Sequence, residues 1–180
     1  MPTDAVKMPQ IDPALLERLG CLVVWWAFVE TLVADLFVAT LTRGNATQPI
    51  DPGTLAIVTK NVSQATLTDW IRTMIDVRYT PANEAKKIRD LLNEVDELRA
   101  ERNALVHGLW GNDRSPPGTA MVQTIRLERR EMIHDLLITP TDLDVLIERT
   151  LDVIHQLLAF LIRHDLPHKR MPTEVAPSDD

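Results

Sequence analysis

With a single cysteine, Cys21, among its 180 residues, the chain cannot close a disulfide on itself. A reducing, cytoplasmic setting is expected, with Cys21 acting as a small buried apolar group inside the run CLVVWWAFV. Cationic side chains are also scarce. Nineteen Lys and Arg face 26 Asp and Glu, a net charge of −7, which excludes a surface coated in phosphate contacts and confines any nucleic-acid site to a local patch. Aromatic residues make up only 4% of the chain, and three of its four tryptophans (Trp25, Trp26 and Trp70) fall on apolar helix faces, so they read as core or interface anchors. Trp110 is the exception. Six glycines supply no phosphate-cradling loop, and neither a Gly-x-Ser-x-Gly elbow nor an H-E-x-x-H helix is present. The opening MPTDAVKMPQID has one basic residue and no apolar centre, unlike a signal or transit peptide.

What is present is helical pattern. Enough apolar residues, 45%, exist to fill one core, and the expected organisation is a flexible stretch over 1–10, a single domain over 11–168 and a disordered tail over 169–180. The expected fold is an all-α bundle of four to five helices with a small β-hairpin inserted before the last. Asp12 with Pro13 opens a first helix that runs to about Leu41. It is apolar enough to raise a membrane span, but Glu30 and Asp35 lie inside it, which favours no membrane and a helix buried on most of its circumference, either centrally in the bundle or partly at a subunit interface. After the linker NATQPIDPG, a short helix is expected over 52–60 and another after Ser63, carrying Leu67, Trp70, Ile71, Met74 and Ile75. Thr80 and Pro81 open the longest helix, unbroken before Gly108 and about 40 Å long. The loop GNDRSPPG precedes the runs TAMVQTIRLE and EMIHDLLI, which alternate as a hairpin turning near Arg129 and Arg130. Thr141 and Asp144 have the spacing of a capping box for the final helix, whose stripe is Leu143, Leu146, Ile147, Leu151, Ile154, Leu158 and Leu161.

One residue breaks this pattern. On a wheel of the longest helix, Ile88, Leu91, Val95, Leu98, Leu105, Val106 and Leu109 all lie within about 60° of Arg102. A guanidinium stays charged, so there it must snorkel out, meet a carboxylate or face a cavity that takes an anion. Glu30, which interrupts the series Leu19, Val23, Trp26, Val33 and Phe37, is the carboxylate that an ion pair would use. An anion site is the other reading, and the two are compatible. Asn103 and His107, four apart, stack on one flank of the same helix. His107 by itself reads either as a structural histidine at a helix C-terminus or as an acid–base group. His164 and His168 have metal-ligand spacing, but Pro167 falls between them and no further ligand completes a set, so no metal or cofactor is expected. His155 reads as solvated, and His134 falls in the hairpin.

The segment ERNALVHGLW, with Arg102, Asn103 and His107, resembles the R-x-x-x-x-H signature of the HEPN superfamily, carried near the end of a long helix in an all-α bundle. The resemblance covers six residues plus architecture. It implies a metal-independent endoribonuclease whose motifs meet across a homodimer interface, in a toxin or defence setting with a protein antitoxin or regulator as a further partner. By that likeness His107 is the general base or acid on the ribose 2′-hydroxyl, Arg102 stabilises the phosphate charge, and Asn103 orients. Some relatives are controlled through a tyrosine two residues after the histidine; Leu109 stands there. RNA would approach over Lys86, Lys87, Arg89 and Arg99, with Arg72 and Arg78 before them. A non-catalytic HEPN-like binding module and a plain dimer built on the first helix are the other readings of the same features.

Overall fold

A computed structural model describes residues 11–42, 51–77, 81–111, 116–126 and 131–163. The expected flexible start, most of the first linker, Arg78, Thr80, Arg129, Arg130, His164, His168 and the tail lie outside the described residues. Five helices, α1 (Pro13–Thr42), α2 (Pro52–Asn61), α3 (Gln64–Val77), α4 (Ala82–His107) and α5 (Pro140–Arg163), form a helical bundle. Between α4 and α5 stands a three-stranded antiparallel sheet, β1 (Leu109–Gly111), β2 (Ala120–Arg126) and β3 (Glu131–Ile138), in the order β1-β2-β3. The expected hairpin is β2–β3, with Ala120 opposite Ile138 and an irregularity between Thr124 and Ile125. β1 is an addition that comes from α4 stopping at His107 where the apolar pattern runs on to Trp110.

Aspartate and proline start two helices in the same way. The Asp12 carboxylate accepts from the Ala14 backbone N–H at 2.8 Å, and Asp51 accepts from that of Thr54 at 2.8 Å, each with proline next. Pro81, without a side-chain cap, precedes α4, which begins one residue later than expected. The cap of α5 is also displaced: Thr139 and Asp142 form the box, the Thr139 N–H donating to Asp142 Oδ2 at 2.8 Å and the Asp142 N–H to Thr139 Oγ1 at 3.2 Å. Asp144, expected in that box, instead accepts from Arg18 Nε at 2.7 Å, which sets the starts of α1 and α5 side by side.

These caps have a pH consequence. The hydroxyl and then the backbone N–H of Thr139 hold the Asp142 carboxyl below the usual carboxylate range, and the backbone and side chain of Thr54 do the same for Asp51. A depressed carboxyl contributes stability above its unfolded pKa, about 3.9, and loses it as pH falls through the folded value. Thermal melts of Asp142→Asn are therefore expected to lose less stability than the wild type between pH 5 and pH 2. Thr139→Ala should cost about 1 kcal/mol in denaturant titrations at neutral pH.

α1 is the central helix, touching α3, α4 and α5, and its buried side chains include Leu15, Leu22, Trp26, Val29, Leu32, Val33 and Leu36. Its other face is exposed in the single chain, with 39% of its most apolar stretch buried, so central burial in the bundle does not cover it. Cys21 is exposed on that face side, and so are Leu16, Val24 and Trp25. Among the described residues α1 is the one helix long and apolar enough to cross a membrane, a test that a core helix also passes. Trp26, 1% exposed, anchors the core, and Trp26→Ala is expected to cost about 3–5 kcal/mol of unfolding free energy.

Candidate functional site

The last two turns of α4 are fixed from both sides. Below, Leu98 and Leu105 are buried in the core, and they bracket Arg102 on the same stripe. Above, the Trp110 indole N–H donates to the Leu105 carbonyl at 2.7 Å, capturing one of the oxygens that a helix end leaves without a partner. Trp110 is thus a clamp on the helix end. Gly108 allows the chain to turn there: a Cβ at this position would collide with Val122 Cγ1 and the Ala104 carbonyl. Gly108→Ala is expected to destabilise the fold by about 1–3 kcal/mol, measured by urea unfolding, through overpacking of α4 on β2.

Arg102 is half-buried, as its place on the stripe requires. Its Nη1 donates to Asn103 Oδ1 at 2.9 Å, which turns the guanidinium toward the flank that Asn103 shares with His107. Its Nε is buried and has no hydrogen-bond partner. Among the described residues no carboxylate pairs with Arg102, and the proposed partner is engaged elsewhere: Glu30 is exposed and accepts from the Trp26 indole N–H at 3.0 Å. The geometric reason lies in α1, whose buried face runs through Leu22, Trp26 and Val29, so that Glu30 falls on the solvent side of it. His107, the final residue of α4, is exposed and makes no hydrogen bond among the described residues. The structure therefore joins Arg102 to Asn103 and leaves His107 open on the same flank.

The basic approach is largely neutralised. Lys86 pairs with Asp90 at 2.6 Å, Arg89 with Asp76, and Arg99 with Asp96 at 3.0 Å. Arg72 takes Asp96 at 2.6 Å and Asp69 at 3.1 Å. Of the described residues in that set, Lys87 alone carries no ion pair with another described residue. On the neighbouring face Arg149 binds Glu94 at 2.8 Å and Glu101 at 2.7 Å, with Glu97 at 3.8 Å. Glu101 foremost, then Glu94, raises the Arg149 pKa further above its ordinary range. His155 is exposed, and no group of three metal-ligating side chains gathers among the described residues.

Gln64, the first residue of α3, escaped the sequence reading. Both polar atoms of its amide are buried without a hydrogen-bond partner among the described residues. The signal was available, since Gln64 continues the buried stripe of Thr68, Ile71 and Ile75 as a polar outlier, as Arg102 does on α4. Comparison of the chain with protein-family models, with curated proteins and with solved structures finds no match.

Proposed function

We propose that the chain is a HEPN-like, metal-independent endoribonuclease acting as a homodimer. The observation that carries this reading is Arg102: a half-buried guanidinium with no carboxylate partner among the described residues, hydrogen-bonded to Asn103 on the flank where His107 is exposed. A buried cation left without a counter-ion is unfavourable unless an anion is its natural partner, and a guanidinium offers paired donors to phosphate oxygens. A histidine exchanges protons near neutral pH.

The chemistry balances without a cofactor. The ribose 2′-oxygen attacks the adjacent phosphorus, its proton passing to the neutral imidazole of His107. The bond to the 5′-oxygen breaks, and that oxygen takes a proton from the protonated imidazole of the second protomer. A 2′,3′-cyclic phosphate and a 5′-hydroxyl result. Arg102 stabilises the charge gathering on the phosphate oxygens, and Asn103 holds Arg102 in place.

One observation favours the other reading, a non-catalytic HEPN-like binding module: the paired Lys86, Arg89 and Arg99 leave little free positive charge to draw RNA. The two are separated by incubating single-stranded RNA with the wild type, His107→Ala and Arg102→Met in excess chelator. Cleavage by the wild type that both variants lose supports the nuclease; no cleavage, or equal cleavage by all three, removes it. Asn103→Asp adds a graded check, because a carboxylate beside Arg102 would neutralise it and is expected to lower the cleavage rate about 10²-fold with the fold intact.

A further inference from the structure

Among the described residues the buried side-chain polar atoms without a hydrogen-bond partner fall on two helices: both amide atoms of Gln64 on α3, and Arg99 Nη1 and Arg102 Nε on α4. Arg99 Nη1 lies 3.0 Å from Asp96 Oδ1, close enough for charge attraction but out of line for a hydrogen bond. The pairing of the two helices tells where these atoms stand. Arg89 binds Asp76 near the start of α4 and the end of α3, and Arg72 and Thr68 then both reach Asp96. The helices are therefore antiparallel. One turn back from Thr68 is Gln64, and one to two turns on from Asp96 are Arg99 and Arg102, so the register carries all three to the same end of the α3–α4 seam.

A buried polar atom without a partner is costly, and several of them at one end of a helix seam point to a bound species. Their chemistry describes it. Three are donors, Gln64 Nε2, Arg99 Nη1 and Arg102 Nε; one is an acceptor, Gln64 Oε1. The complement is an oxyanion with a hydroxyl beside it. Charge agrees: Arg72 and Arg99 share Asp96, while Arg102 pairs with no carboxylate among the described residues.

We propose that Gln64, Arg99 and Arg102 form a subsite for a ribose phosphate, in which the guanidiniums take phosphate oxygens and Gln64 Oε1 accepts from the 2′-hydroxyl. This rests on the reading of Arg102 as a phosphate ligand and extends it to a nucleotide beside the one cleaved. Arg102 has donors for both: Nη1 is bound to Asn103 Oδ1, and Nε is without a partner among the described residues and is left for the subsite. Arg99 lies about 12 Å along the helix from His107, which leaves room for that neighbour. The Gln64 amide is thereby a determinant of RNA over DNA, since the 2′-hydroxyl is what distinguishes them.

The test titrates the full chain with adenosine 3′-monophosphate, its 2′-deoxy counterpart and inorganic phosphate, for the wild type, Gln64→Met and His107→Ala. The wild type should bind the ribonucleotide several-fold more tightly than the deoxy form. Gln64→Met should weaken the ribonucleotide about tenfold, roughly 1.4 kcal/mol, erase the discrimination and leave phosphate binding unchanged. Its thermal midpoint should hold or rise, because an amide without partners is removed from the interior. A lowered midpoint with unchanged affinity makes Gln64 structural and overturns the proposal, as does a wild type that binds both nucleotides equally. Failure of the nuclease reading is seen separately: ribose discrimination that depends on Gln64, in a protein that does not cleave RNA, retains the subsite and removes the reaction. Cleavage that depends on His107, with Gln64→Met indistinguishable from the wild type in binding, does the reverse.

Discussion

His107→Ala is expected to lower RNA cleavage by about 10²–10⁴-fold, the range for loss of a positioned acid–base group, and to change unfolding free energy by less than about 0.5 kcal/mol. The two halves of that expectation rest on the same observation. His107 is exposed and makes no hydrogen bond among the described residues, so no hydrogen bond there depends on its ring. A structural histidine at a helix end would behave otherwise. If its charge served the α4 macrodipole, its removal would cost about 0.3–1 kcal/mol, in a pH-dependent way, and leave cleavage untouched. A parallel measurement of turnover and urea unfolding separates the two roles.

Arg102→Met is expected to lower cleavage about 10²–10³-fold while leaving stability unchanged or slightly raised. The sign of the stability change is diagnostic. Removing one member of a buried ion pair costs about 3–5 kcal/mol, because the other charge is stranded. Arg102 has no such partner among the described residues: its side-chain hydrogen bond goes to Asn103 Oδ1, and its Nε is unsatisfied. Methionine keeps the stem's apolar packing between Leu98 and Leu105 and removes the buried charge. A loss of several kcal/mol in Arg102→Met would mean that Arg102 holds the fold together, and the phosphate role would have to be given up.

The helical bundle, its element order and the inserted strands were legible because they rest on local signals. Aspartate–proline pairs start α1 and α2, and the hairpin runs alternate. Arg102 was legible for the same reason, since a charge on an apolar stripe is visible on a wheel. Most of what escaped depends on tertiary geometry. Glu30 looked like the match for Arg102, yet the face of α1 that enters the core puts Glu30 outside, where Trp26 engages it. Cys21 lies in the same apolar run and is exposed for the same reason. The cationic approach over Lys86, Arg89 and Arg99 was read from one helix alone, although two of its partners, Asp90 and Asp96, sit within four residues on that helix and only Asp76 comes from α3. Thr139 with Pro140 repeats the cap-then-proline signal, but the Thr141–Asp144 spacing competes with it, and only the Arg18 contact shows which carboxylate is free to cap. Gln64 is a polar outlier on the stripe of Thr68, Ile71 and Ile75, a signal as visible on a wheel as that of Arg102, but an uncharged amide at a helix start draws less notice than a guanidinium.

The most direct measurement is the identity of the new RNA ends. A fluorescent single-stranded RNA is incubated with the wild type and with His107→Ala in excess chelator, and the products are weighed by mass spectrometry. A 2′,3′-cyclic phosphate and a 5′-hydroxyl, formed by the wild type and missing with His107→Ala, are the expected result. Intact RNA, or 5′-phosphate ends that vanish in chelator, would contradict a metal-independent site built on Arg102, Asn103 and His107.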